Sequence, residues 1–150
     1  MILKPEAVLF RPSVGGKNEL LRIIGGLASA TYGLDRACAI KALVDGESRQ
    51  STGVGHGVAL PHVRMEKLDC VSGAFVRLKT PVDFRSVDRR PIDLAFAIFS
   101  PANAGAEHLK ALAVISRTFR DQAVCAQLRS SDNHATLYTI MMQTQSFQAA

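Results

Sequence analysis

The sequence has no long apolar run, which excludes a membrane-spanning segment. Lys4, Pro5 and Glu6 interrupt the first residues, so the chain opens without the apolar core of a signal peptide. No later stretch approaches the length that a transmembrane helix needs. We therefore expect a soluble, cytoplasmic protein without membrane insertion.

Cysteine is also scarce, and its spacing excludes the usual cysteine-based sites. The three cysteines, Cys38, Cys70 and Cys125, are far apart and form no CxxC pair. His56 and His62 lack the i, i+4 spacing and the acidic partner of a helical zinc site. These absences predict small buried thiols in a reducing compartment and no metal ion.

The positive charge of the chain is not concentrated as it is in nucleic-acid-binding proteins. Lysine and arginine number 18 against 13 aspartates and glutamates, which gives a net charge of +5. The densest basic cluster is Arg85, Arg89 and Arg90. Asp83 and Asp88 interrupt it, and no aromatic stacking platform lies nearby. We expect no nucleic-acid partner, although a modest positive field can steer an acidic or phosphorylated protein to the surface.

The chain has the length of one domain, with 150 residues of which 47% are hydrophobic, enough to bury a substantial core. We expect a single domain over residues 1–150, without repeats. Apolar spacing and capping residues predict helices at residues 18–30, from Asp35 to a C-terminal Gly46, from Ala104 through Phe119, at 121–128 and at 132–142. The polar tail at residues 143–150 is expected to fray.

Short apolar stretches bounded by turn residues predict at least three strands. They lie at residues 57–60, 71–78 and 94–99. Because strands occur among helices along the chain, the pattern favours an α/β sandwich with a small central mixed β-sheet flanked by helices.

The most informative segment is a glycine-rich loop. Two hydroxyl residues precede three alternating glycines, and a short apolar run then ends at a proline and a histidine. These residues are Ser51, Thr52, Gly53, Gly55, Gly57, Pro61 and His62. Glycines let backbone amides approach an anion closely, and the proline fixes a backbone angle beside the histidine. The pattern predicts a phosphate-handling loop with a rigidly held histidine.

Three familiar motifs do not fit the sequence. Val58 occupies the third glycine position of GxGxxG, and the segment precedes a strand where a dinucleotide-binding turn precedes a helix. Gly16 and Lys17 are followed by Asn18, which excludes a Walker A loop, and Gln50 breaks a GxSxG pattern. A histidine held rigidly beside anion-binding backbone remains, and it fits phosphoryl transfer through a phosphohistidine.

Two histidines are candidates for this chemistry. His62 is the candidate nucleophile, with one ring nitrogen attacking while the other donates its hydrogen to a fixed acceptor. His108 lies near a helix start on an apolar stripe, and it is the candidate stabiliser of the phosphoryl oxygens. The alternative is that both are structural, His62 as a hydrogen-bonded strand end and His108 as a half-buried helical residue. His56 and His134 are interpreted as surface residues.

The glycine-rich segment resembles the active-site signature of fructose/mannitol-type enzyme IIA (EIIA) domains of the phosphoenolpyruvate:sugar phosphotransferase system. Further segments are similar to the nitrogen-regulatory branch of that family, and together they cover essentially the whole chain. They are residues 3–8, 78–84, 88–94, 107–113 and 116–117.

The resemblance implies a free-standing regulatory EIIA protein. His62 would accept phosphate from a histidine phosphocarrier of the HPr or NPr kind, and His108 would be the second active-site histidine. Such proteins need no metal or cofactor at this site, and they regulate transporters, kinases or other partners according to phosphorylation state. A sugar-specific EIIA of a fructose or mannitol permease, and a binding module that has lost phosphoryl transfer, are the alternatives.

Two positions depart from the family pattern. Gly46 and Glu47 stand where the family usually has arginine and glutamate, so an arginine that stabilises the phosphoryl group is missing. Arg49 or Arg64 could compensate for it. Val63 follows the histidine where glycine or alanine is common, which crowds the approach of a partner.

Overall fold

The computed structural model describes residues 2–149, with side chains as far as Thr144. In this part of the chain, helices and strands alternate around one mixed sheet. The strands are β1 (Leu3–Arg11), β2 (Gly53–Gly55), β3 (Val58–Ala59), β4 (His62–Met65), β5 (Ser72–Val82) and β6 (Ile92–Pro101). The helices are α1 (Lys17–Tyr32), α2 (Arg36–Arg49), α3 (Ala106–Arg120), α4 (Gln122–Arg129) and α5 (His134–Ala149).

The sheet has the order β1-β5-β6-β3-β2, and β4 also pairs with β6. β1 is parallel to β5, β5 is antiparallel to β6, and β3 and β4 both run parallel to β6. Successive residues of β5 and β6 point to opposite faces, yet nearly all of β6 and most of the first seven residues of β5 are buried, so both faces of the sheet are covered there. The predicted α/β sandwich with a mixed sheet is confirmed.

β3 and β4 both pair with β6, one after the other along its length. Val58 pairs with Leu94 and His62 pairs with Ile98, while Leu60 and Pro61 interrupt the strand between them. Proline cannot donate a backbone hydrogen bond to a neighbouring strand, so the strand is interrupted at Pro61. As a result, His62 begins a new strand, and pairing with β6 holds the backbone of that strand.

Several boundaries differ from those that the sequence predicted. β1, β2 and β4 were not foreseen; the exposed residues Lys4, Pro5 and Glu6 interrupt the apolar pattern of β1, and β2 and β4 are too short to show a pattern. Asp35 does cap α2, and its carboxylate accepts a hydrogen bond from the Cys38 amide at 2.9 Å. α5 continues to Ala149, past its expected end at Met142. The fraying of the tail stays a prediction.

Two predictions were wrong. Gly46 does not end α2, because Glu47 in the next position is buried and anchored, and tertiary contacts carry the helix on to Arg49. The cysteines are not all buried: Cys125 is, but Cys38 and Cys70 are exposed. Cysteine spacing alone does not report which face of an element points to solvent.

Candidate active site

His62 is exposed at the start of β4 and has a fixed ring orientation. Its Nδ1 lies 2.9 Å from the backbone oxygen of Leu60, a buried residue. A carbonyl oxygen can only accept, so Nδ1 carries the hydrogen in this bond and the lone pair of the neutral ring is on Nε2. The side chain therefore has the arrangement of an imidazole nucleophile, with its free nitrogen opposite an anchored one.

His108 lies in the first turn of α3, with only 6% of its surface exposed. Its Nδ1 is 2.6 Å from the hydroxyl oxygen of Ser100, at the end of β6. Burial lowers the pKa of His108 below its usual value, and electrostatic interactions with Arg64 and His62 lower it further. His108 is therefore held neutral, and its ring centroid is 5.8 Å from that of His62.

Arg64 stands two residues beyond His62 on β4, so the two side chains project from the same face of the strand. Its guanidinium group donates a hydrogen bond to the backbone oxygen of Ala104, just before α3. Its charge also contributes to the lowered pKa of His108. Of the two arginines that the sequence offered in place of the one missing at Gly46, Arg64 is the one on the same strand as His62.

A cavity of 420 Å³ opens beside His62. The end of α2, the segment before β2, the Pro61 turn and one side of α3 form its walls. The predicted site residues in its lining are Glu47, Arg49, Ser51, Thr52, Pro61 and His62, together with Gly46. Leu112 and Ser116 supply the wall from α3. The fold thus brings together residues from the loop, from α2 and from α3.

The buried carboxylate of Glu47 organises the start of the loop. Its Oε1 accepts the Thr52 amide at 3.0 Å and also the Thr52 hydroxyl, while its Oε2 lies 2.7 Å from Lys17 Nζ. Ser51 donates its hydroxyl to the backbone oxygen of Phe84 at 2.7 Å, so it is held by the loop between β5 and β6. The two hydroxyl residues therefore fix the shape of the cavity wall.

The three glycines form the β2–β3 hairpin. Gly55 and Gly57 have φ of 98° and 80°, which a side chain tolerates poorly. A Cβ atom on Gly53 would lie 2.2 Å from the Ser86 hydroxyl oxygen, so this position has no space for one. Turn geometry and close packing account for these glycines; their support of a phosphate stays a prediction.

The structure adds residues that the sequence did not single out, namely Lys17, Ser100 and Ser116. Each is a common polar residue far in sequence from the loop, and only the fold brings it to the site. Only Ser100 could have been noticed in the sequence, since it is a polar residue directly after the apolar run of β6. His56 and His134, interpreted as surface residues, are both exposed.

Among the residues that the structure describes, no group of three or more histidine, cysteine, aspartate or glutamate side chains is placed to hold a metal ion. None of the described helices is long and apolar enough to cross a membrane.

Residues 1–144 match the family model described as "Phosphoenolpyruvate-dependent sugar phosphotransferase system, EIIA 2". The chain belongs to this EIIA family. It is therefore a phosphotransferase component, as its glycine-rich segment predicted.

Relatives within the family place the chain near its nitrogen-regulatory members. It is 38% identical over 140 residues to the "Nitrogen regulatory protein" of Bradyrhizobium diazoefficiens, covering 93% of this EIIA protein and 92% of the relative. The protein of the same name from Escherichia coli is 34% identical over 146 residues, 96% of this chain and 89% of the relative.

Two solved structures share the fold of this chain, and one of them is a nitrogen regulatory protein. The crystal structure of the nitrogen regulatory protein IIA-Ntr from Neisseria meningitidis superposes with a TM-score of 0.85 at 32% identity, covering 93% of this chain and 95% of that one. IIA mannitol from Escherichia coli has a TM-score of 0.77 at 19% identity, with 93% and 99% covered, and so shares the fold.

Proposed function

We propose that this EIIA protein accepts a phosphoryl group on Nε2 of His62 from a histidine phosphocarrier of the HPr or NPr kind. The bond between His62 Nδ1 and the Leu60 oxygen carries the proposal, because in the neutral ring it places the lone pair on Nε2 and fixes its direction. The exposure of His62 lets a second protein bring its phosphohistidine to that nitrogen.

The transfer is an in-line displacement at phosphorus. The lone pair of His62 Nε2 forms the new P–N bond as the P–N bond of the carrier breaks, and the carrier's imidazole leaves with that electron pair. The positive ring charge passes from the carrier to His62, whose Nδ1 hydrogen stays bonded to the Leu60 oxygen. No water or metal ion takes part in this balance.

His108 and Arg64 stabilise the phosphoryl group during the transfer. His108 is neutral and buried, so an N–H of its ring can donate to an equatorial oxygen without being displaced by water. Arg64 contributes a positive charge from the same strand face as the nucleophile. Neither residue forms a bond to phosphorus.

The biological output that we propose is regulation of partner proteins, transporters or kinases among them, according to the phosphorylation state of His62. Two relatives that align with nearly the whole chain are named nitrogen regulatory proteins, which supports this output. We place this exchange in the cytoplasm, where a phosphocarrier of this kind would meet its acceptor.

Incubation with phosphoenolpyruvate, enzyme I and a phosphocarrier tests the acceptor. Wild-type protein should gain an acid-labile phosphate, and His62→Ala should gain none. His56→Ala is the matched control, because it removes another exposed histidine close in sequence and should be labelled like wild type. Labelling that persists in His62→Ala would contradict the assignment. An unlabelled wild-type protein that still binds partners would instead favour a binding module.

A sugar-specific role is the second candidate. The "PTS system fructose-specific EIIA component" of Haloferax volcanii is 31% identical over 109 residues, covering 73% of this chain and 71% of the relative. In that case phosphorylated His62 would pass its phosphate to a fructose-specific or mannitol-specific EIIB domain. Transfer from labelled protein to such a domain, at a rate comparable with loading, would establish the transport role.

A further inference from the structure

A chain of four contacts connects α1 to the ring of His62. Lys17 Nζ lies 2.7 Å from Glu47 Oε2, and Glu47 Oε1 accepts the amide of Thr52 at 3.0 Å. The backbone oxygen of Thr52 accepts the amide of Leu60 at 2.9 Å. The backbone oxygen of Leu60 then accepts Nδ1 of His62 at 2.9 Å. Successive contacts share a residue: Glu47, then Thr52, then Leu60.

We propose that Glu47 is a positioning residue for His62, acting through Thr52 and Leu60. The inference rests on the proposed phosphorylation of His62. Glu47 does not touch the ring; it fixes the carbonyl that selects the Nδ1–H tautomer and thereby leaves Nε2 free to attack.

Burial makes Glu47 suited to positioning the His62 ring. Its side chain is only 4% exposed, so the hydrogen bonds to Thr52 compete with little water. The carboxylate accepts both donors of Thr52, the amide and the hydroxyl, and this fixes that residue's backbone as well as its side chain. A fixed Thr52 backbone in turn fixes the oxygen that holds Leu60.

Lys17 compensates the negative charge of Glu47. A buried carboxylate in the wall of the phosphate-accepting cavity would oppose an incoming phosphoryl group unless a cation neutralised it. Lys17 is itself held by the backbone oxygen of Phe84 at 3.3 Å, and it lies 4.6 Å above the centre of the Phe84 ring. The pair therefore supplies strong acceptor atoms with little net charge.

A second cleft adjoins the cavity beside His62. It has a volume of 1070 Å³, and the two share Glu47, Arg49, Gln50 and Ser51 in their lining. Lys17 lines the second cleft, so its ion pair with Glu47 connects α1 to the residues that the two share.

The test measures the tautomer of the His62 ring by ¹⁵N NMR in unphosphorylated protein, and the single-turnover transfer rate over a range of carrier concentrations. Glu47→Ala should lower the Nδ1–H population of His62 and reduce the limiting transfer rate about 10- to 100-fold, as loss of such supporting contacts does elsewhere. The carrier concentration at half-saturation should stay near the wild-type value. Glu47→Gln keeps an oxygen acceptor for Thr52 and should retain most of the tautomer and rate.

Asp45→Asn is the matched control. Asp45 lies on the same helix and makes an ion pair of the same length, 2.7 Å, with Lys41, but that pair is exposed. The substitution should leave both readouts unchanged. Should Glu47→Ala fail to fold, Glu47→Met retains the side-chain volume without the acceptor and carries the same expectations.

Folded Glu47→Ala or Glu47→Met protein with wild-type tautomer and wild-type rate would overturn the positioning role. An equal loss in Asp45→Asn would overturn it too. The NMR readout needs no phosphate: if wild-type protein accepts none, the proposed function fails, while the tautomer shift still decides whether Glu47 positions His62.

Discussion

The rings of His62 and His108 lie 5.8 Å apart and are inclined by 58°, and in each of them Nδ1 is held by an oxygen atom. Leu60 supplies that oxygen for His62, and Ser100 supplies it for His108. Both Nε2 atoms are consequently free of these contacts. Two histidines with the same anchored nitrogen can take different roles, because one is exposed and the other is buried.

His108→Ala should slow phosphoryl transfer while the protein still folds. The variant loses a preorganised donor to the phosphoryl oxygens but keeps the nucleophile, and losses of this kind cost about 10²-fold in rate. Single-turnover transfer measures the rate, and circular dichroism checks the fold. His134→Ala removes an exposed histidine at the start of α5 and serves as the control. Wild-type kinetics in His108→Ala would remove His108 from the mechanism.

Gly46→Arg should increase both stability and transfer rate. A Cβ atom at Gly46 would have Val63 Cγ1 as its nearest neighbour, at an ordinary 3.8 Å, so a side chain fits there. Replacing a glycine inside α2 by a better helix former should add about 0.5–1 kcal/mol to the free energy of unfolding.

Gly46 also lines the cavity beside His62, so the new guanidinium group can reach a phosphoryl oxygen. Gly46→Ala separates the two effects, because it should increase the free energy of unfolding but leave the transfer rate unchanged. Chemical denaturation and single-turnover transfer measure them. Equal rates in the alanine and arginine variants would show that Arg64 already supplies the charge.

Stability should fall as pH is lowered below about 6.5, and His108 should account for part of the fall. The pKa of folded His108 is lowered from its usual 6.5, so the unfolded chain binds a proton there before the folded protein does. Above the usual pKa both states are neutral and His108 contributes no pH dependence. As pH falls from there towards the lowered pKa, the unfolded state gains protons and stability is lost.

Urea denaturation of wild type and His108→Gln at about pH 7.5 and about pH 5.5 measures this contribution. The glutamine variant should lose less stability between the two values, and the difference between the proteins isolates His108. An identical loss in both would mean that His108 has the same pKa folded and unfolded.

The adjacent glycines of α1 should respond in opposite ways to alanine. A Cβ atom on Gly25 would lie 2.6 Å from Ile40 Cγ1 and 3.2 Å from the Ile40 backbone nitrogen, so Gly25→Ala forces α1 and α2 apart. Overpacking of this kind costs about 1–3 kcal/mol. At Gly26 the nearest atoms belong to Arg36 at 3.6 Å, an ordinary contact, so Gly26→Ala should gain up to about 1 kcal/mol. Thermal denaturation of the two variants compares them, and a shift of the same sign in both would contradict the helix contact.

Much of the fold could be predicted from the sequence, because long periodic segments report their own structure. α1 and α3 carry apolar residues at helical spacing, and β6 is a continuous apolar run bounded by turn residues. β1 and β4 could not be predicted in this way. Their strand conformation depends on pairing with β5 and β6, which are distant in sequence. The end of α2 was missed for a similar reason, since the Glu47 contacts extend it beyond Gly46.

The sequence by itself determined the candidate nucleophile and its chemistry. A proline, a histidine and a run of alternating glycines are local features, and their backbone constraints act over a few residues. Only the tertiary structure decided which atoms surround that histidine. Ser100 and the Lys17–Glu47 pair come from elements other than β4, and no local pattern encodes their approach. Chain folding around β6 brings them together, because burial of the apolar sheet fixes where each polar side chain must find its partner.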